Sequence, residues 1–395
     1  MKRILVLFVA ATFLGPLSNG PVLAEDTKEA AKKEVESKPL ELPKGLKGIS
    51  VGGTYFLEYY NKDYEDDTKN DDFSSFTVQR AYITLKKKFT PWFSSRVTAD
   101  ITYDSKRGAV GADAKEIGWE FRLKYAYGKF DVKKLGRSDV RLESEFGLVH
   151  CVSDDYDTAL WPYRAQGKHF LDRHSIMSSA DYGTNVRLTF GDMDKEFKKK
   201  VSKKYAGKWG GIWAGVYNGA GYGHKEENDD KAFEVLAYMR PFNMIDLLKG
   251  LRIGYHALRG ESDTLLTGGG PKEYPEWEID QFLASYQHEY FTVMGQWYSG
   301  KSEDRSSDNN DRDGYNIAAF VKMPFHKKLR IFARYDVYDK DNNRDNYDEN
   351  TKIYGVSYDL DKGIMAWAGL EDKEYDSGLN KNDYKLTQVG LAIKL

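Results

Sequence analysis

The stretch FSSRVTADITYD, residues 93–104, decides the fold. Its odd-numbered positions, such as Phe93 and Val97, are mostly apolar, and its even-numbered positions, such as Arg96 and Asp100, are polar or charged. Successive side chains of a β-strand point to opposite faces, so this stretch has one apolar face and one polar face. A strand between lipid and water needs this pattern over about 10 residues, whereas a soluble β-sandwich shows it over about 4–8. One such strand does not separate the two folds.

The next segment repeats the pattern. In the stretch 119–128, aromatic and aliphatic residues that include Tyr125 and Tyr127 alternate with polar ones that include Arg122 and Lys124. Counting similar segments predicts about sixteen strands, a number typical of barrels with an aqueous channel. Their predicted centres are near residues 54, 82, 98, 124, 145, 187, 212, 236, 255, 283, 296, 319, 334, 355, 367 and 389. The stretch 205–216 fits either register, because its glycines and tryptophans suit both faces.

The connectors alternate in length along the chain. The long ones are rich in Asp and Asn and cover 61–74, 105–116, 151–181, 218–231, 260–275, 299–313, 339–351 and 372–383. The short ones are 87–92, 131–138, 241–249, 288–290, 323–327 and 360–362, with a longer Lys-rich exception at 192–204. Bacterial membrane barrels have short turns on one side and long loops on the other. The sequence therefore predicts an all-β, transmembrane antiparallel barrel over 48–395.

Composition excludes other classes of protein. The mean hydropathy is −0.65, and no run of about 20 apolar residues follows the first two dozen positions, so membrane-spanning helices are excluded. Closed barrels are the other structure that satisfies every backbone polar group in lipid. The 28 Tyr, 20 Phe and 8 Trp are too many for a disordered chain. The 59 basic and 61 acidic residues nearly cancel, so nucleic-acid binding is not expected.

The first residues have the features of an export signal. Lys2 and Arg3 precede an apolar stretch, and Val22-Leu23-Ala24 fits a cleavage site, so residues 1–24 are predicted to be a signal peptide. Residues 25–47 form a charged segment that we interpret as a flexible periplasmic leader, with a small plug or spacer as the alternative.

No catalytic or cofactor site is predicted. Cys151 is the only cysteine, which excludes an internal disulfide and cysteine-based metal sites. His174 and Ser175 are neighbours in sequence, but adjacency does not provide the supported Ser–His pair of an outer-membrane phospholipase. The expectation is a non-enzyme without a metal or cofactor.

The strand phase also predicts which charged side chains point into the lumen. They are Arg96, Asp100, Glu120, Arg122, Lys124, Arg141, Glu143, Glu145, Arg187, Arg252, Arg330, Arg334 and Asp336. Charged rings set the ion preference of a pore through the local field, and both signs occur here. The cations Arg96, Arg122, Lys124, Arg141 and Arg187 are therefore candidate pore residues.

The connector 151–181 is the longest, and loops beyond about 15 residues are usually functional or disordered. Its many apolar residues, such as Trp161 and Phe170, predict that it folds into the lumen and packs against the inner wall. Its cations Arg164, Lys168 and Arg173 are then the candidate residues of a constriction.

Several segments of the sequence resemble a known protein family. The segments concerned are RAYITLKKKFTPWFSSRVTADITYD (residues 80–104), EFGLVH (145–150), and WPYRAQGKHFLDR and SSADYG (both within 161–183). Over most of its length the chain resembles the phosphate-selective porin O and P family. The resemblance implies an outer-membrane barrel, often a homotrimer, whose third outer loop folds inward. The family's arginine ladder cannot be placed residue by residue on this sequence, and the acidic loop 61–74 disfavours high-affinity phosphate capture.

The sequence thus predicts a porin of the bacterial outer membrane. It is expected to contact membrane lipids and to let ions and small hydrophilic solutes diffuse through a lumen narrowed by residues 151–181. An anion- or phosphate-preferring porin is one alternative. A structural, adhesive or partner-enclosing barrel is another.

Overall fold

A computed structural model describes residues 47–395 except 67, 69, 104–118, 137–138, 203, 205–206 and 267–272. The predicted signal peptide, nearly all of the leader and the connector 105–116 lie outside the described residues. The strands are β1 (Ile49–Tyr64), β2 (Phe73–Lys88), β3 (Phe93–Tyr103), β4 (Trp119–Val132), β5 (Val140–His150), β6 (Ala180–Phe190), β7 (Gly210–Tyr217), β8 (Ala232–Met239), β9 (Leu251–Glu261), β10 (Glu276–Gln287), β11 (Phe291–Lys301), β12 (Asp311–Met323), β13 (His326–Asp339), β14 (Asp348–Asp361), β15 (Ile364–Tyr375) and β16 (Tyr384–Lys394). The helices are α1 (Val152–Thr158), α2 (Phe170–Arg173) and α3 (Lys195–Lys200), and 3-10 turns cover Asp246–Leu248 and Ser377–Leu379.

The strands form one closed antiparallel barrel in which every strand pairs with its neighbours in sequence. Closure joins the two ends of the sheet, where β1 pairs with β16 from Thr54↔Lys394 to Tyr64↔Tyr384. Because no edge is left open, every strand backbone has a partner on both sides. The predicted all-β antiparallel barrel is confirmed, and each predicted strand centre lies within a strand.

The two faces of the wall differ as the alternation predicts. Large apolar side chains such as Val97, Phe121 and Ile331 are exposed on the outside. Polar side chains such as Asp100 and Arg334 are buried in the lumen. Within the described part of the chain, no helix is long and apolar enough to cross a bilayer.

Aromatic side chains cluster at the end of the barrel that carries the short turns, here called the short-turn end. Trp92 stacks on Phe130 with ring centroids 5.9 Å apart, and Phe93 lies 4.9 Å from Phe130. Phe242 and Phe325 are exposed in two other short turns. This arrangement matches the aromatic girdle of membrane barrels.

One prediction about facing was wrong. Tyr125 and Tyr127 belong to the inner face, with exposed fractions of 4% and 8%, although strict alternation places them on the outer one. The cause is a β-bulge in β4: Thr98 pairs with Tyr125, whereas the next residue, Ala99, pairs with Leu123. The extra residue, Lys124, shifts the phase of the rest of the strand.

The structure also resolves the ambiguous register of β7. Ile212 is 47% exposed on the outer face, whereas Trp213 is buried in the lumen. Leu188 pairs with Ile212, and Arg187 pairs with Trp213, which places these two pairs on opposite faces.

Candidate functional site: the lumen and the segment within it

The connector between β5 and β6 packs against the inner face of the barrel. We call residues 151–179 the inner segment. The indole nitrogen of Trp277 donates to the Ile176 carbonyl at 3.1 Å, and the Tyr163 hydroxyl lies 3.0 Å from that of Ser357. An Arg334 nitrogen donates to the Lys168 carbonyl. The inner segment therefore lies along the wall formed by β8 to β15.

Apolar packing holds the inner segment in place. Tyr163 stacks on Phe332 with ring centroids 4.2 Å apart, and Trp161 packs edge-on against Tyr163 at 5.1 Å. Phe170 and Ile176 are almost completely buried in a second cluster nearer the long loops. Burial of such side chains stabilises a structure by about 1.5–3 kcal/mol each, so the position of the segment is well defined.

A wall carboxylate fixes the start of the segment. Glu234 of β8 accepts hydrogen bonds from the backbone N–H groups of Val152 at 2.8 Å and Ser153 at 3.0 Å, at the beginning of α1. The Tyr217 hydroxyl donates to the same side chain at 2.8 Å, and His256 Nε2 lies 2.9 Å from it. The first N–H groups of a helix lack intrahelical partners, so Glu234 both satisfies them and anchors the segment.

Buried ion pairs fix the middle of the segment. Arg173 donates to Glu371 of β15 at 2.5 Å and lies 4.0 Å from Asp336 of β13. The next residue, His174, is fully buried between Asp336 and Glu349, at 3.6 Å from each. The predicted constriction residue Arg173 thus holds the segment to the wall.

The opposite wall remains accessible and carries cations. Arg80 and Arg122 both donate to Asp100, at 2.6 and 2.9 Å, and their side chains are 21% and 34% exposed. Tyr222, from the long connector between β7 and β8, also donates to Asp100 at 3.1 Å. Lys124 donates to Ser179 at 2.7 Å, which places it where the inner segment returns to the wall.

Arg164 faces this cationic wall from the inner segment, and Lys168 shares the carboxylate of Asp172 with it. Arg164 lies 3.4 Å from Asp172 and 3.8 Å from Asp154, and Lys168 lies 3.0 Å from Asp172. Burial opposes the ionised form of Asp154, but Arg164 and His169 outweigh it and lower the pKa of that carboxyl well below its usual range. Burial likewise opposes the ionised form of Asp172, but Lys168 and Arg164 outweigh it and lower the pKa of that carboxyl. Both carboxylates therefore stay charged and hold the two cations in place.

The gap between the inner segment and β2 to β4 carries more positive than negative side chains. The cations are Arg80, Arg96, Arg122, Lys124, Arg164 and Lys168, and the carboxylates are Glu58, Asp100, Asp154 and Asp172. A hydrogen bond from Gln79 to the Ala165 carbonyl, at 2.8 Å, crosses the gap. On the side of the short turns the gap opens into a cavity of about 1250 Å³, which Tyr82 and Arg164 help to line.

Four of the predicted pore residues, Arg96, Arg122, Lys124 and Arg164, lie around this gap with Lys168. Arg141 lies at the short-turn end, where it donates to Asp131 at 2.8 Å and is 45% exposed. Arg187 is buried under the inner segment, paired with Asp155. Arg173 is packed against β13 and β15, as described above.

Sequence reasoning missed several residues of the lumen, among them Arg80, Tyr222, Glu234, Glu349 and Glu371. The alternation of side chains could have identified Arg80. In β2, Arg80, Tyr82 and Thr84 lie on one face and the apolar residues Ala81, Ile83 and Leu85 lie on the other. Glu234 had the same signal, because it lies between the apolar residues Phe233 and Val235 in β8, whereas Tyr222 comes from a polar connector and had none.

In the described ranges, no group of three or more His, Cys, Asp and Glu side chains is arranged to hold a metal ion. Cys151 is buried and unbonded to another cysteine.

Comparison with known proteins gives a similarity of fold. No protein-family model and no curated protein sequence matches the chain. Among solved structures, an anion-selective porin from Comamonas acidovorans is 10% identical, with 88% of this chain and 99% of that chain covered at a TM-score of 0.57. OprB of Pseudomonas putida, at high pH, is 11% identical, with 88% and 94% covered at a TM-score of 0.55. The outer membrane channel DcaP of Acinetobacter baumannii is 10% identical, with 89% and 99% covered at a TM-score of 0.52. The chain has the fold of outer-membrane porins in general, and the similarity does not single out the phosphate-selective O and P family.

Proposed function

We propose that the protein is a porin of the bacterial outer membrane, through which ions and small hydrophilic solutes diffuse passively. The observation that carries the proposal is the accessible, charged gap beside the inner segment, which leads into a cavity of about 1250 Å³ within a barrel whose outside is apolar. In this proposal, the inner segment narrows the passage at the level of Arg164, a residue that lines the cavity. Residues 1–24 direct export, and no cofactor takes part.

Reconstitution into planar lipid bilayers tests the proposal. Purified, folded protein is expected to give stepwise increases in current, and added neutral sugars of increasing size are expected to stop entering the channel at a defined radius. Protein that is folded by circular dichroism and inserted in the bilayer, yet gives no conductance steps, contradicts the channel function. Cross-linking of the protein in native membranes tests the proposed homotrimer separately.

A second candidate, a preference for anions, is favoured by the excess of cations around the gap. A fixed positive field in a narrow aqueous passage concentrates anions and repels cations. In a gradient of KCl, the reversal potential is expected to have the sign of chloride selectivity.

Arg164→Glu tests this preference, because it reverses one charge where the gap is lined by the inner segment. The expected result is a shift of the reversal potential toward cation permeation. The matched control is Arg259→Glu, which changes an exposed arginine paired with Asp280. An equal reversal potential in Arg164→Glu and the unaltered protein contradicts the role of the inner segment in selectivity.

A further inference from the structure

A second, smaller cavity lies beside the main one at the short-turn end. Its volume is about 330 Å³, within the range of about 300–1000 Å³ of small-molecule sites. We call it the side pocket. It shares Asp155, Thr158, Ala159 and Lys204 with the larger cavity, so solutes in the lumen can reach it. It lies under α1, away from the gap between Arg164 and Arg80.

Positive charge predominates among the lining residues that the structure describes. The cations are Lys133, Lys134, Arg141, Arg187, Lys198, Lys204 and Arg252, and the carboxylates are Asp139, Glu143, Asp155 and Asp192. Each carboxylate has a cation from this set within ion-pair distance: the pairs are Lys134–Asp139, Arg141–Glu143, Arg187–Asp155 and Lys198–Asp192. In the described ranges, Lys133, Lys204 and Arg252 have no carboxylate partner.

Arg252 is the most informative of the three. It lies on β9 with only 2% of its surface exposed, and its guanidinium carbon lies over the ring of Tyr156, 3.8 Å from the centroid. Its Nε and Nη2 atoms are buried and have no hydrogen-bond acceptor among the described residues. Buried charges are normally paired, because removal from water is costly.

A second buried arginine increases the positive charge behind the side pocket. Arg240, in the turn after β8, is also 2% exposed. Burial and the positive charge of Arg252 both lower the pKa of Arg240 well below its ordinary value. Two guanidinium groups that repel each other in a water-poor region create a local field that an anion would relieve.

We propose that the side pocket is a binding site for a small oxyanion, namely a phosphate, sulfate or carboxylate group, held by Arg252 and Lys204. A guanidinium offers a planar fork of donors that matches two oxygens of such a group. Lys204 donates one hydrogen bond to the Thr158 carbonyl at 3.2 Å and has two further donors for the anion. The site adds saturable binding to the proposed passive diffusion.

Equilibrium binding to folded protein in detergent tests the site without requiring conductance. Inorganic phosphate, sulfate and acetate are titrated separately at low salt by isothermal calorimetry. Saturable binding of at least one of them at one site per chain is expected. Arg252→Gln is expected to weaken it at least tenfold and Lys204→Gln several-fold, and binding is expected to weaken at high salt.

Arg259→Gln is the matched control, since it removes an exposed arginine, paired with Asp280, that lies outside both the side pocket and the gap. It is expected to leave the binding constant unchanged. Absence of saturable binding, undiminished binding by Arg252→Gln and Lys204→Gln, or loss of binding by Arg259→Gln each overturns the proposal. If Arg252→Gln does not fold, Lys204→Gln carries the test, because Lys204 lies in an exposed turn. Conductance of the same samples is recorded in planar bilayers. Conductance without saturable binding contradicts the side pocket alone, whereas absence of conductance contradicts the proposed channel function.

Discussion

The two halves of the barrel's inner face use polar residues in opposite ways. On β8 to β15 the inner segment covers the wall, and charged groups such as Arg334 and Asp336 are 2% and 0% exposed. On β2 to β4 the wall faces the gap, and Arg80 and Arg122 are 21% and 34% exposed. Both halves follow the same alternation of side chains along the strand.

The difference shows how one sequence pattern serves two physical purposes. In the covered half, a charge is tolerated because a specific partner compensates it, and removing that partner leaves a buried ion. In the open half, the partly exposed guanidinium groups of Arg80 and Arg122 contact water, so their pairing is worth less and their field also acts on solutes. We therefore expect substitutions in the covered half to change mainly stability and substitutions in the open half to change mainly permeation.

The largest effect is expected when a buried ion pair of the covered half is broken. Arg173→Ala leaves Glu371 and Asp336 without their cation, which is expected to destabilise the protein by about 3–5 kcal/mol. Urea unfolding in detergent, followed by tryptophan fluorescence, measures the change. Arg259→Ala is the control, since it removes an arginine that is 49% exposed and is expected to cost less than about 1 kcal/mol. Equal effects of the two variants would show that the covered half is solvated after all.

The second prediction compares substitutions on the outer and inner faces of the open half. Val97 is 43% exposed and faces outward near the middle of β3. Val97→Arg places a charge in lipid and is expected to cost about 2–4 kcal/mol, measured by unfolding in lipid vesicles. Arg96→Val, one position away, is expected to fold normally and to change the conductance. Similar damage to folding by both variants would mean that the faces are wrongly assigned.

The third effect concerns the anchor of the inner segment. Glu234→Gln keeps the shape of the side chain but weakens the charge-assisted hydrogen bonds from Val152 and Ser153, at an expected cost of about 1.5–3 kcal/mol. The segment is expected to detach at times, which single-channel recording would detect as added noise and proteolysis as cleavage within 151–179. Glu374→Gln, at a side chain that is 47% exposed, is the control. A Glu234→Gln channel as quiet as the control contradicts the anchoring role.

The smallest expected effect is a dependence of the protein's stability on pH, caused by Asp304 at the edge of the covered half. Asp304, in the connector between β11 and β12, accepts hydrogen bonds from the Ser178 N–H and hydroxyl at 3.1 and 2.7 Å. Burial raises the pKa of Asp304 to about 7 from 3.8. The folded state therefore holds a proton that the unfolded state releases, and stability is expected to fall as the pH rises from about 4 to about 7.

Melting temperatures of the unaltered protein and of Asp304→Asn across this range measure the Asp304 contribution. The variant is expected to lack this part of the slope, because its amide does not titrate. A slope that is the same in both proteins contradicts the assignment to Asp304.

Much of the barrel could be predicted because its cause is local. Alternating side chains in segments such as 93–104 and the alternation of long and short connectors both follow from a wall between lipid and water. The error at Tyr125 and Tyr127 has a physical reason, since a bulge inserts one residue without a signature in composition. The alternation predicts most lumen cations, although not Arg80, as inward-facing, but it does not separate them into structural and accessible groups.

That separation depends on where the inner segment lies. Nothing in the sequence near Arg173 and Arg164 distinguishes them, although the first is paired with Glu371 in the covered half and the second faces the gap. Their roles follow from contacts between residues far apart in the chain, such as Glu234 with Val152 and Phe332 with Tyr163. The amino-acid sequence by itself determines where the strands lie and which face of each strand is apolar, because the alternation of side chains depends only on neighbours in the chain. The accessible wall, the side pocket and the pairing of each charge arise only after closure, because the dielectric environment of a side chain is set by everything that packs around it.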